Sequence, residues 1–185
     1  MSIYLNRFLK SRSAENIIGL FSCCNNPAKE ITESWAMLEA LKKYVPDYND
    51  RTLIVVGDGR TPRTGAILAY FTLAEVITVD PNFDMLFWRE HTQQQERLGF
   101  TPCRIEVHPY KIEDMHFDIK TRIAVIWPHS HADMNALKMP GCYSRVDIAM
   151  PCCKPIPKEW GSIPHVTYDD HNVLSPKRSV HIWYS

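Results

Sequence analysis

Apolar residues in this chain fall into short continuous runs, and these alternate with stretches whose apolar residues recur at helical spacing. Thr52 to Val56 is a β-branched run closed by Gly57-Asp58-Gly59, the pattern of a strand buried on both faces in a parallel sheet. Before it, Ile31, Trp35, Leu38 and Leu41 share one helical face from Pro27 to Tyr44. Acidic residues come early and Lys42-Lys43 late, as a helix dipole favours, and Pro46 ends the helix. After the glycines, Gly65 to Leu73 is apolar on most sides and predicts a helix packed on a sheet. Glu75 to Val79 predicts a second strand, ending at Asp80-Pro81.

A polar helix over Phe83 to Leu98 follows, then strands at Cys103 to His108, Arg122 to Trp127 and Arg145 to Met150. This alternation predicts an α/β fold with a doubly wound, mostly parallel sheet and helices on both faces. The tail differs. Proline-rich residues 151 to 164 lead to strand-like segments at His165 to Tyr168 and Ser179 to Tyr184, an antiparallel C-terminal hairpin at the sheet edge. Residues 1 to 27, with a short helix over Tyr4 to Leu9 and a turn-rich end at Cys23-Cys24-Asn25-Asn26-Pro27, read as an accessory arm.

Length and composition narrow the picture. The 185 residues fit a single domain, 1 to 185, and no shift in composition divides it. Lys+Arg and Asp+Glu both number 21, so the chain lacks the overall basic field of a non-specific nucleic-acid binder. No apolar run reaches the ~20 residues that span a bilayer, and the N-terminus lacks a secretory pattern, so a cytoplasmic protein with reduced thiols is expected. The cysteines, at 23, 24, 103, 142, 152 and 153, contain no C-x-x-C pair, and no histidines stand four apart. No metal site is therefore expected, and most thiols read as small apolar core residues.

The strongest local signal is Val56-Gly57-Asp58-Gly59-Arg60-Thr61-Pro62-Arg63-Thr64-Gly65, where a buried strand meets a helix across two glycines. Glycine allows positive φ and lets a ligand approach the backbone. Thr61 reads as the helix N-cap and Pro62 as its first residue, which aims the helix amides into the loop mouth, where a carboxylate or phosphate would be attracted. Asp80 lies at the end of the second strand, where a carboxylate can accept both hydroxyls of a ribose.

In this order and placement the chain resembles the Rossmann-like class I S-adenosylmethionine-dependent methyltransferases, over about residues 30 to 155. The resemblance implies S-adenosylmethionine as cofactor, held by Gly57, Asp58 and Gly59 at its methionine portion and by Asp80 at its ribose. Glu113 or Asp114, after the third strand, would reach the adenine. The family's usual acidic residue two positions before the first loop glycine is replaced here by Val55, with Asp58 as a stand-in. Arg60 and Arg63 suit a phosphate better than a sulfonium, which leaves a phosphate-ligand reading open.

Reactive groups of an open α/β sheet gather beyond the carboxyl ends of its strands, which directs attention to Trp127-Pro128-His129-Ser130-His131-Ala132-Asp133. His129 is a candidate proton acceptor and His131 a candidate substrate contact; Asp133 would orient a histidine or cap a helix beginning at Met134. Met150-Pro151-Cys152-Cys153-Lys154 forms a second corner, similar to a Pro-Cys-Cys found in some RNA-modifying methyltransferases. Cys152 would shape an acceptor pocket there and Lys154 contact an acceptor phosphate.

The expected function is a methyltransferase of undefined acceptor, with RNA or another nucleotide-containing substrate as one partner class. The alternative is a catalytically inactive module of the same fold that assembles into oligomers or binds RNA or protein.

Overall fold

The computed structural model describes residues 2–100, 104–117, 121–137, 139, 141–151 and 163–185. Helices α1 (Ile3–Lys10), α2 (Ala14–Ile17) and α3 (Pro27–Tyr44) precede strand β1 (Thr52–Val56). Then come α4 (Arg63–Phe71), β2 (Val76–Val79), α5 (Met85–Arg97), β3 (Ile105–His108), β4 (Arg122–Pro128), β5 (Ser144–Met150), β6 (Val166–Asp169) and β7 (Ser179–Tyr184). The seven strands form one sheet in the order β3-β2-β1-β4-β5-β7-β6. The first five run parallel; β7 is antiparallel to both β5 and β6, which makes the predicted C-terminal hairpin.

Register decides what stands at the carboxyl edge. Val56 pairs with Val79 and Val79 with His108, while Val55 pairs with Ile126 on the other side. The strand ends are therefore level, and Gly57, Asp80 and the residues after Trp127 emerge in one row. The chain leaves β1 toward β2 and β3 and returns across it to β4, so the order reverses between β1 and β4, the place where such sheets open a crevice.

Alternation along the strands divides the core into two layers. Leu53, Val55, Ala124, Ile126, Val146 and Ile148 face a cluster built with α1 to α4, against which Phe87 and Trp88 of α5 also pack. Ile54, Val56, Ile123, Val125, Trp127 and Ala149 face the other way. Among the described residues that second face is covered by a 3-10 turn at Ile112–Asp114 and by irregular chain carrying Met115, Ala132, Met134 and Leu137. Among the described residues the α-helices pack on the first of these faces.

The segment expected as an accessory arm is packed into the main core. Tyr4, Phe8, Ile17, Leu20 and Phe21 are buried beside Trp35 and Leu38 of α3, and Phe8 sets its ring edge-on to both Phe21 and Trp35, at 5.9 and 6.3 Å. Tyr4 also donates from its hydroxyl to Asp170 Oδ2 at 2.6 Å, tying α1 to the β6–β7 connection. Among the described residues no helix is long and apolar enough to cross a membrane.

This packing makes a direct prediction. Phe8 is 0% exposed, so Phe8→Ala should cost about 3–5 kcal/mol in urea unfolding. A loss below about 1 kcal/mol would show the first helix to be peripheral to the stability of the sheet.

Candidate functional site

The loop after β1 is organised by Asp58. Its carboxylate is 3% exposed and accepts from the backbone amides of Thr64 and Gly65, each at 2.8 Å, at the start of α4. Asp58 therefore does the capping that the sequence assigns to Thr61. The Thr61 hydroxyl instead donates to Leu20 O at 2.8 Å, and the helix begins one residue later, at Arg63. Burial pushes the Asp58 carboxyl up, against the opposing pull of the Gly65 and Thr64 amides and of Arg63. The expectation that these amides face a ligand is thus corrected, because the protein's own carboxylate fills that position.

Both loop glycines adopt positive φ, 82° at Gly57 and 83° at Gly59. A Cβ at Gly57 would stand 2.6 Å from Ser130 Oγ and 2.9 Å from Ser130 Cα, so its absence lets the β4 loop close against β1. A Cβ at Gly59 would meet Arg63 Nη2 at 2.5 Å. The room left by the missing side chains is taken by protein atoms, and the ligand space lies beside the bend rather than inside it.

That space is a cavity of about 280 Å³ at the β1/β4 reversal, just under the usual ~300–1,000 Å³ range of small-ligand sites. Val56, Gly57, Val79, Asp80, Asn82 and Lys111 line one part of it, and Ile112, Glu113, Ser130, His131 and Ala132 another. Asp80 Oδ2 accepts from Gly59 N and Oδ1 from Asn82 N, both at 2.8 Å. A carboxylate has about four lone-pair sites, so each Asp80 oxygen keeps one for a further donor. Of the residues singled out in the sequence, Gly57, Asp80, Glu113 and His131 border this cavity. Gly59 acts through its amide on Asp80 without lining the cavity, and Asp114, in the same 3-10 turn as Glu113, does not line it either.

On the far side of Gly57 lies a second cavity of about 200 Å³, bordered by Lys29, Glu30, Glu33, Ser34, Asp58, Arg63, Thr64, Pro128 and His129. Glu33 is its centre. The side chain is 3% exposed, with Lys29 Nζ 3.1 Å from one oxygen and His129 Nε2 2.7 Å from the other. Burial pushes the Glu33 carboxyl up, but the hydrogen bonds and charges of His129 and Lys29 outweigh it and hold it below the ordinary carboxylate range. His129 sits at φ 52°, a left-handed conformation that a side chain makes costly and that is found where a neighbouring structure imposes it. Both of its ring nitrogens are buried.

The remaining expected residues fare differently. Asp133 neither reaches a histidine nor caps a helix: its Oδ1 accepts from Asn135 N and its carbonyl from Ala136 N, each at 3.0 Å, closing a tight turn. Cys152 and Lys154 lie outside the described residues. Arg60 is exposed and paired with Asp84 at 2.7 Å. Arg63, far from solvated, is held by Glu30 at 3.3 Å and by Asp58 O at 3.0 Å. Neither arginine lines the larger cavity.

Residues missed from sequence are Asn82 and Ser130 on the first cavity and Lys29, Glu30, Glu33, Ser34 and Thr64 on the second. Lys29 and Glu33, spaced i,i+4 and flanked by Ile31 and Trp35, were a readable signal of an ion pair carried on the core side of α3.

No protein-family model matches the chain, and no curated protein matches it. Solved structures do. Magnesium protoporphyrin IX methyltransferase from Synechocystis PCC 6803, crystallised with bound S-adenosylmethionine, superposes with a TM-score of 0.56 at 11% identity, covering 96% of this chain and 92% of that one. A point mutant of MtNAS in complex with S-adenosylmethionine gives a TM-score of 0.51 at 13% identity, over 97% of this chain and 69% of that one. The architecture is thus a Rossmann-like α/β sheet with an antiparallel C-terminal pair. It is a fold shared with magnesium protoporphyrin IX methyltransferase and with MtNAS.

The Glu33 network sets a pH dependence. A carboxyl whose folded pKa is depressed stabilises the fold fully above its unfolded pKa and loses that contribution as pH falls toward the folded value. Urea midpoints measured from neutral pH down through the ordinary glutamate range should therefore fall more steeply for the wild type than for Glu33→Gln. Parallel curves would remove Glu33 as the titrating group.

Proposed function

We propose that this chain is an S-adenosylmethionine-dependent methyltransferase that holds its cofactor across Gly57, with the nucleoside in the larger cavity and the amino-acid end in the smaller one. The observation that carries this reading is Asp80. Its carboxylate is fixed by two backbone amides at the end of β2 and borders a cavity large enough for a sugar and base. The remaining lone pairs take the ribose hydroxyls, Ile112 and Ala132 offer apolar contact to the base, and Glu113 a polar edge. The fold's solved relatives, crystallised with S-adenosylmethionine, support the same cofactor.

Charge favours a cationic ligand over a phosphate. The larger cavity presents Asp80 and Glu113 against Lys111, whereas in the smaller one Glu30, Glu33 and Asp58 are met by Lys29, Arg63 and His129, so the preference rests on the larger cavity. A sulfonium sits well in such a field, whereas a pyrophosphate meets like charge at close range. In the smaller cavity Lys29 would meet the cofactor carboxylate and Glu30 its ammonium, while Glu33 stays with His129. An inactive module with an arginine-blocked loop is not favoured, since Arg60 turns to Asp84 and Arg63, although it fills the space beside Gly59, does not border the larger cavity.

When bound, the cofactor supplies the methyl group, and methyl transfer can be accelerated largely by alignment of the acceptor with the sulfonium. In this reading Asp58 and Gly59 act at one remove, by fixing α4 and Asp80. His129, held by Glu33, shapes the corner between the cavities, Asp133 fixes the loop that carries His131, and His131 borders the nucleoside side. A proton acceptor is needed only where the methyl acceptor carries a proton, and His129 serves that role if binding turns its ring outward. Cys152 and Lys154 are proposed acceptor contacts. The Pro-Cys-Cys-Lys sequence is what favours an RNA or other nucleotide-containing acceptor.

Calorimetry with S-adenosylmethionine tests the cofactor. Binding should be measurable for the wild type and weakened about tenfold or more, about 1.4 kcal/mol, by Asp80→Ala. An absence of heat from correctly folded wild-type protein would overturn the reading.

A further inference from the structure

Two adjacent thiols stand directly over the start of α4. Cys24 N donates to Phe21 O at 3.2 Å, which closes a turn and places Cys23 and Cys24 beside the glycine loop. Both are free; Cys23 is exposed and Cys24 partly so, which departs from the expectation of thiols in the core. The thiols touch different residues of the loop. Cys23 Sγ lies 3.7 Å from Thr61 Oγ1, while Arg63 Nη1 donates to Cys24 Sγ. Arg63 also donates to Asp58 O at 3.0 Å, pairs with Glu30 at 3.3 Å, and fills the space a Cβ at Gly59 would need. The Gly59 amide in turn holds Asp80. A change at the thiols is thus one side chain away from the cofactor loop.

We propose that Cys23 and Cys24 form a capture site for a trivalent arsenical or similarly soft, thiophilic centre, and that its occupancy loosens the glycine loop. Exposed Cys23 reacts first, and the neighbouring Cys24 closes the second bond. Each thiol gives up its proton and forms one sulfur–arsenic bond while the arsenoxide oxygen leaves as water, so no oxidant is required. Burial pushes the Cys24 thiol up, with the Arg63 charge opposing. Once Cys23 has reacted, the second bond closes within one molecule at the high effective concentration of the adjacent thiol, which favours the bridged product over two single adducts. The bridged centre takes the place of the Arg63 contact on Cys24, and the guanidinium is then displaced from Asp58 O and the Gly59 backbone. The link to cofactor affinity rests on the methyltransferase reading; capture by the two thiols does not.

The test uses the whole chain and equimolar phenylarsine oxide. After treatment, alkylation of the native protein followed by peptide mass mapping should show Cys23 and Cys24 protected together, by about tenfold. Release by a dithiol, with resistance to a monothiol, should mark the bridge. Protection of Cys23 alone, or of other cysteines while this pair is alkylated, overturns the site. Cys23→Ser and Cys24→Ser should each abolish monothiol-resistant capture, and a substituted chain that retained it would also overturn the site.

Amide exchange over residues 57–65 should rise about tenfold on loading, as the loop opens locally; unchanged exchange overturns the coupling. Calorimetry separates the two readings. S-adenosylmethionine should bind the loaded protein about tenfold more weakly than the free one, and equal affinities would overturn the coupling. If neither form binds it while the thiols are captured, the methyltransferase reading falls and the capture site stands on the mapping and exchange results.

Discussion

The arrangement at the carboxyl edge depends on one buried charge, the Asp58 carboxylate set against the N-terminus of α4. Burying an ionised carboxylate is unfavourable unless hydrogen bonds replace its water. Here the replacements are the amides of Thr64 and Gly65, with Thr78 Oγ1 at 3.4 Å as a weaker third. The helix dipole adds to them, since the unsatisfied amides of a first turn favour negative charge. Because Thr78 belongs to β2 and the amides to α4, one side chain locks strand, loop and helix together. It also determines what the loop can bind: an external anion would have to displace a charge that the fold itself needs.

From that lock the geometry of Asp80 follows. With α4 fixed by Asp58 and Arg63 lodged under Gly59, the loop has one way to cross from β1, and its amide at Gly59 meets the carboxylate emerging from β2. Gly57 then comes so close to Ser130 that a methyl group would collide with backbone. The glycines therefore serve the approach of two protein segments first, and the cavity is what remains once that approach is made. Ligand-binding loops built this way are pre-organised, which reduces the ordering cost of binding.

How much of this was legible follows from where the information sits. β1 and β4 are buried on both faces, so their continuous apolar runs announced them, and α3 was readable end to end from its periodicity, proline start and lysine end. Level strand ends bring Gly57, Asp80, Glu113 and His131 to the border of one cavity. Capping was misread because Thr61-Pro62 has a strong local propensity that a tertiary competitor, Asp58, overrides. The Lys29–Glu33 pair was readable within α3, but the bond from Glu33 to His129 was not, because no local pattern joins α3 to the β4 loop.

The contrast between the two faces also bears on how a site of this kind acquires a substrate. The helical face holds α1 to α5 in one apolar cluster, with the N-terminal segment sealed into it and pinned by Tyr4 to Asp170 and by Thr61 to Leu20. A surface built in this way resists remodelling, since moving any helix uncovers buried aromatic area. The opposite face is closed by side chains on turns and irregular chain, where His131, Ala132 and Glu113 border the larger cavity. Such segments open locally at lower free energy than packed helices do. Among the described residues, adjustment to a bound molecule is therefore concentrated on the β4 loop and the Ile112–Asp114 turn, while Asp58 and Asp80 keep their positions.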